Sequence, residues 1–74
     1  MTRRDSRTAL GEAVRHFRVE RDKTQEALAH KAGITVGHLS KIERGRANPT
    51  WKTLEAIAAA LDISISDLAQ QTEK

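Results

Sequence analysis

Seventy-four residues with a formal net charge of +3 and no cysteine fit one small domain, and exclude a disulfide-stapled scaffold or a thiolate metal site. A core of this size is marginal, so short helices have to pack economically. Eleven Lys and Arg face six Asp and Glu up to Arg46, whereas two face four from Trp51 onward. This leaves two readings open: a basic face for a polyanion, or a solvated surface with a basic tail.

Residues 1–7 read as a flexible basic arm. Arg3 and Arg4 are placed to touch phosphates or a minor groove, or simply to be solvated. No apolar run follows MTRRDSR, so it does not read as a secretory signal. From Thr8 a helical period begins: Leu10, Val14 and Phe17 fall at i, i+4 and i+7, with Ala13 beside them. Ser6 or Thr8 is the candidate cap, and the helix should end near Arg21 or Asp22.

Thr24 is predicted to cap a second helix over 25–32, with Leu28, Ala29 and Ala32 inward. Gly33 permits a sharp left-handed turn, and Ile34 plugs that turn into the core. Thr35 caps a third helix over 36–44, with Leu39 and Ile42 inward. That leaves Val36, Gly37, Ser40, Lys41 and Arg44 outward or at the edge. Gly45 ends it and Pro49 forbids easy continuation. Thr50 caps a fourth helix to about Leu61, on the spacing of Leu54, Ile57, Ala58 and Leu61. Ser64 or Ser66 caps a last short helix anchored by Leu68. The longest apolar patch, AIAAAL, is far too short to span a membrane.

Taken in order, the segments TQEALAHKAGI, LSKIERGRANPT and LEAIAAALDISISDL make residues 24–68 resemble the Cro/C1-type (XRE) helix-turn-helix domain of phage repressors and bacterial regulators. The resemblance implies an all-α, compact five-helix bundle of the lambda-repressor-like type, spanning residues 8–71. It implies double-stranded DNA as partner, with helix 3 in the major groove and dimerisation through helices 4–5. A groove about 12 Å wide admits one such helix.

By this resemblance the base-reading positions are Val36, Gly37 and Lys41, with His38 as a neighbour that is otherwise merely exposed. Val36 offers only apolar contact, for example to a thymine methyl, and Lys41 can donate to guanine O6/N7. Family members often carry Gln, Arg or Ser at the first two positions, and this chain departs from that. Gln25 is implied to lie near a phosphate and to brace the start of helix 3. Thr35, Arg44, Arg46, Asn48 and Thr50 are the further candidates for backbone contacts, which position a protein without reading sequence. Arg18 and Glu43 are implied to form a largely buried ion pair. The rival arrangement sets Arg18 on a phosphate and leaves Glu43 solvated.

His16, His30 and His38 lack zinc-helix spacing, so no metal site is expected. No nucleophile motif or phosphate loop is present, and no catalysis, cofactor or small-molecule ligand is expected. Trp51 has three readings: a core-edge residue, a stacking group near a phosphate, or a dimer contact. Ala59, Ala60 and Ala69 are the candidate partner-facing residues. The expectation is a cytoplasmic, sequence-specific DNA-binding transcriptional regulator, dimeric on a palindromic operator. Its alternatives are an antitoxin-type regulator that also binds a toxin, and a protein-interaction adaptor that keeps the fold without DNA specificity.

Overall fold

Local devices set most of the helix boundaries among the described residues. The computed structural model describes residues 6–72, and in it five helices follow one another: α1 Ser6–Glu20, α2 Gln25–Ala32, α3 Val36–Glu43, α4 Trp51–Ala60 and α5 Ile65–Thr72. Thr24, Thr35 and Thr50 are extended at ψ 162°, 154° and 163°, and each hydroxyl accepts from the backbone N–H three residues on. Such a cap contributes about 1 kcal/mol. Ser64 caps α5 reciprocally: its Oγ accepts from Asp67 N at 2.9 Å, and Asp67 Oδ2 accepts from Ser64 N at 3.0 Å.

The ends of α1 to α4 follow one pattern. After α2, Gly33 N donates to His30 O and Ile34 N to Ala29 O, the paired bonds of a Schellman motif. Gly45 and Arg46 repeat it after α3. Asp22 and Asp62 take the glycine's place after α1 and α4, at φ of 55° and 57°.

The buried core is drawn from all five helices and includes Val14, Leu28, Leu39, Ile42, Ile57, Leu61 and Leu68. Leu10, Phe17, Ile34, Ala47, Leu54 and Ile63 pack around it. α1 lies against α3 and α5, α2 against α3 and α4, and α4 against α5. The α1–α3 crossing is unusually close. A Cβ on Gly11 would collide with the carbonyl oxygens of Ile42 and Glu43, the latter 2.7 Å away. Gly45 approaches the other end of that contact, where a Cβ would lie 2.9 Å from Thr8 Cα.

Several expectations change. Ser6 and Arg7 belong to α1 rather than to an arm, so Thr8 lies inside the helix and does not cap it. The remainder of the expected arm, with Arg3 and Arg4, lies outside the described residues. Ser64, not Ser66, caps α5, because only Ser64 stands three residues before the carboxylate that completes the box. Ala60 is buried within the chain and so faces no partner.

Candidate nucleic-acid interface

The turn that makes this surface starts at Gly33. Its φ of +75° reverses the chain between α2 and α3 within three residues, Gly33 to Thr35. α3 buries Leu39, Ile42 and Glu43. Gly37, Lys41 and Arg44, at i, i+4 and i+7, therefore fall in line on the opposite face. Lys41 and Arg44 are exposed, and a Cβ on Gly37 would meet nothing within 4 Å. Val36 is 40% exposed at the first turn. His38 is half-buried, on the flank of this face nearer Ile42, and its N–H is taken by Thr35 Oγ1 at 3.0 Å. Ser40 is half-buried on the other flank.

One carboxylate ties three helices together behind that face. Arg18 donates to both oxygens of Glu43, from Nε at 2.7 Å and from Nη2 at 3.0 Å. Arg18 Nη1 donates to Lys23 O at 2.8 Å, beside the N-cap of α2. Gln25 Nε2 donates to Glu43 Oε1 at 3.0 Å. The Glu43 and Arg18 side chains are 3% and 13% exposed. No buried side-chain nitrogen or oxygen is left unpartnered among the described residues. Gln25 therefore braces the end of α3 and not its start. Because a carboxylate only accepts, the amide nitrogen of Gln25 must face Glu43 and its Oε1 must face away. An anion at Gln25 can then be met through its backbone N–H or its second amide hydrogen.

The other candidate backbone contacts are open to solvent. Thr35, Arg46, Asn48 and Thr50 are exposed. Arg44 is exposed and makes only a long bond, 3.4 Å, from Nε to Ser40 O. Each Thr cap satisfies one N–H of its helix and leaves the N–H groups of the two residues after it without an intrahelical acceptor. At α2, α3 and α4 these N–H groups and the positive end of the helix dipole suit an anion. Among the described residues no group of His, Asp and Glu side chains is placed to hold a metal ion.

Trp51 is not a core-edge residue: it is 62% exposed at the start of α4. It stands at an apolar groove floored by Leu10, Leu54, Ile65, Leu68 and Ala69. Sequence reasoning missed Gly11, although a glycine within a helical period costs about 1 kcal/mol against alanine and so asks for a packing or functional reason. It also missed Lys23 O, a backbone acceptor that no side-chain pattern announces.

An all-helical bundle whose second and third helices meet at a glycine turn, with the third presenting a polar outer face, defines a helix-turn-helix protein. The helix-turn-helix family model matches residues 14–68, and the chain belongs to that family, in its XRE-type branch. The chain is 46% identical to the immunity repressor protein of Bacillus phage phi105 over 57 residues, 77% of the chain and 40% of that repressor. It is 37% identical to the uncharacterised HTH-type transcriptional regulator y4dJ of Sinorhizobium fredii, over 95% of the chain and 91% of that protein. Thus it spans half or less of some curated relatives and nearly all of another. The clp gene regulator ClgR from C. glutamicum superposes with a TM-score of 0.92 at 32% identity, covering 96% of this chain and 92% of that one. The restriction-modification controller protein C.AhdI from Aeromonas hydrophila gives 0.82 at 29% identity, covering 84% and 94%.

Proposed function

We propose that this chain is a cytoplasmic, sequence-specific DNA-binding regulator of transcription that inserts α3 into the major groove of double-stranded DNA. The observation that carries this is the division of α3. One side is buried through Leu39, Ile42 and Glu43, and the other presents Gly37, Lys41 and Arg44 with no packing of its own. Val36, Gly37, His38 and Lys41 read the bases. Gln25, Thr35, Arg44, Arg46, Asn48 and Thr50 grip the backbone on either side. Membership of a family of DNA-binding regulators supports the same reading.

One module of this size covers only ~600–1,000 Å² of DNA, so a second copy on a half-site one helical turn away doubles the interface. The groove beside Trp51, between the α1 start, α4 and α5, is the surface that suits a two-fold contact. Among the described residues no helix is long and apolar enough to cross a membrane.

The test is selection of bound sequences from random duplex DNA, followed by affinity measured across salt. The expected result is a palindrome with half-sites about 10 base pairs apart and an affinity that falls steeply with salt. Weak, sequence-blind binding would overturn the regulator reading in favour of a protein-interaction adaptor. Sedimentation of Trp51→Glu should give the monomer mass. A dimer that survives the substitution would place the two-fold contact elsewhere.

A further inference from the structure

Three of the four glycines are explained by the fold. Gly33 and Gly45 hold left-handed backbone at φ of 75° and 74°. Gly11 lies against the α3 carbonyls and tolerates no Cβ. Gly37 has neither reason. It is the second residue of α3, its φ is not positive, and a Cβ there would meet nothing within 4 Å. Glycine is the poorest helix former after proline. The free chain thus carries an unfavourable residue that its own packing does not require, at the centre of its outward face.

What lies beside it gives the gap a chemistry. Val36 is one of three exposed large hydrophobic residues among those described, and presents only carbon. Lys41, one turn further along the line of Gly37, is the nearest outward-pointing donor on that line. On the major-groove edge of DNA the apolar group that projects is the C5-methyl of thymine.

We propose that Gly37 is a specificity-determining residue: with Val36 it forms an apolar notch on α3 that accepts a thymine methyl. This rests on the reading of α3 as the groove-entering helix. Gly37 selects by the approach it permits. Any side chain there fills the notch and holds the helix off the base, while Val36 supplies the surface the methyl packs against. Lys41 then donates to the neighbouring base edge.

The experiment uses the sequence obtained by selection, with each thymine replaced in turn by uracil, which deletes only the C5-methyl. One thymine per half-site should lose about tenfold in affinity on this change, the ordinary worth of one methyl in a fitted apolar site. Gly37→Ala should melt about 4 °C higher, since alanine favours the helix. It should nevertheless bind the selected sequence about tenfold more weakly, and it should no longer distinguish thymine from uracil. A gain in stability with a loss in binding is the signature of a gap kept for the ligand. Undiminished binding by Gly37→Ala, or no thymine that responds to uracil, overturns the notch and leaves the regulator reading standing. Failure of the parent chain to select any sequence overturns both.

Discussion

Arg18 and Glu43 face each other fork to fork, with 2.7 Å from Nε to Oε2 and 3.0 Å from Nη2 to Oε1. The pair lies 25 residues apart in sequence and locks the end of α1 to the end of α3. Glu43→Gln keeps the shape but turns an amide N–H₂ toward the guanidinium, which has only donors. The buried charge of Arg18 is then unpaired, and a loss of about 3 kcal/mol is expected. In a domain of this size that is a fall of more than about 10 °C in Tm. Gln25→Ala removes only the third bond to the same carboxylate, with an expected cost of about 1 kcal/mol. Thermal melts of both variants check this, and equal losses would contradict the ranking of the three bonds.

Gly11 should be the least replaceable residue of α1. Alanine there improves helix propensity by about 1 kcal/mol, but its Cβ meets the carbonyls of Ile42 and Glu43, rigid backbone at the end of α3. The helices must separate, and the Arg18–Glu43 fork separates with them. Gly11→Ala should therefore lose at least about 3 kcal/mol, the upper range for overpacking. Urea unfolding measures it. A neutral result would mean that α1 has room to move away from α3 without cost.

Asp62 offers the opposite case. It sits at φ 57° after α4, in backbone that costs a residue with a Cβ about 1–2 kcal/mol, less for aspartate. Its charge also faces the negative end of the α4 dipole. Asp62→Gly should stabilise by about 0.5–1 kcal/mol, because relief of both terms outweighs the added freedom of the unfolded glycine. Asp62→Asn separates the two, since it removes the charge and keeps the Cβ. If neither variant gains stability, the strain is already relieved by local hydrogen bonding.

Asp67 gives the fold an acid-sensitive end. The backbone N–H of Ser64, then its hydroxyl, hold this carboxyl below its ordinary 3.8, with a smaller pull from Arg21, while desolvation opposes them. The unfolded chain therefore binds this proton more readily than the folded one. The stabilisation is complete above the ordinary carboxylate value and is lost as pH falls through the lower folded one. Asp67→Asn should flatten this part of the stability profile between about pH 5 and pH 3. Parallel profiles for parent and variant would show that the capping box contributes nothing to it.

The sequence carried most of the architecture because α-helical period and threonine caps are local signals. Thr24, Thr35 and Thr50 mark the three N-termini of the central helices, and Gly33 and Gly45 mark two of the ends. What it hid depends on contacts between distant residues. Asp22 and Asp62 end helices in the way glycine does, but aspartate is also common in caps and on surfaces, so its identity does not announce a left-handed turn. Gly11 reads as a weak point in a helix until the α3 carbonyls are placed over it. The resemblance sets Gln25 near a phosphate and against the start of α3, yet one of its amide hydrogens is committed to Glu43 at the other end of that helix, 18 residues away. α1 begins at Ser6, ahead of the apolar period that starts near Thr8, and the period does not reveal this because Ser6 and Arg7 add no apolar residue to its stripe.

Lys41 and Arg46 are both exposed cations near the proposed interface, and their roles should separate cleanly. Lys41 is on the outward line of α3, one turn beyond Gly37, where in the proposed docking a side chain reaches base edges. Arg46 lies past the Schellman turn at Gly45, its backbone N–H fixed to Lys41 O at 2.8 Å, and is exposed on the loop that leads to α4. A cation on a base edge carries discrimination of ~1–3 kcal/mol at one position, whereas one on a phosphate adds about one unit to the salt slope on any sequence. Lys41→Ala should relax the preference at one position of each half-site and leave the others unchanged. Arg46→Ala should weaken binding to matched and random DNA alike and flatten the salt dependence. Repeated sequence selection and salt titration with each variant decide it. If the Lys41 variant keeps the parent's full preference, Lys41 belongs with the backbone contacts, and the reading of sequence falls to Val36, Gly37, His38 and the shape of the DNA.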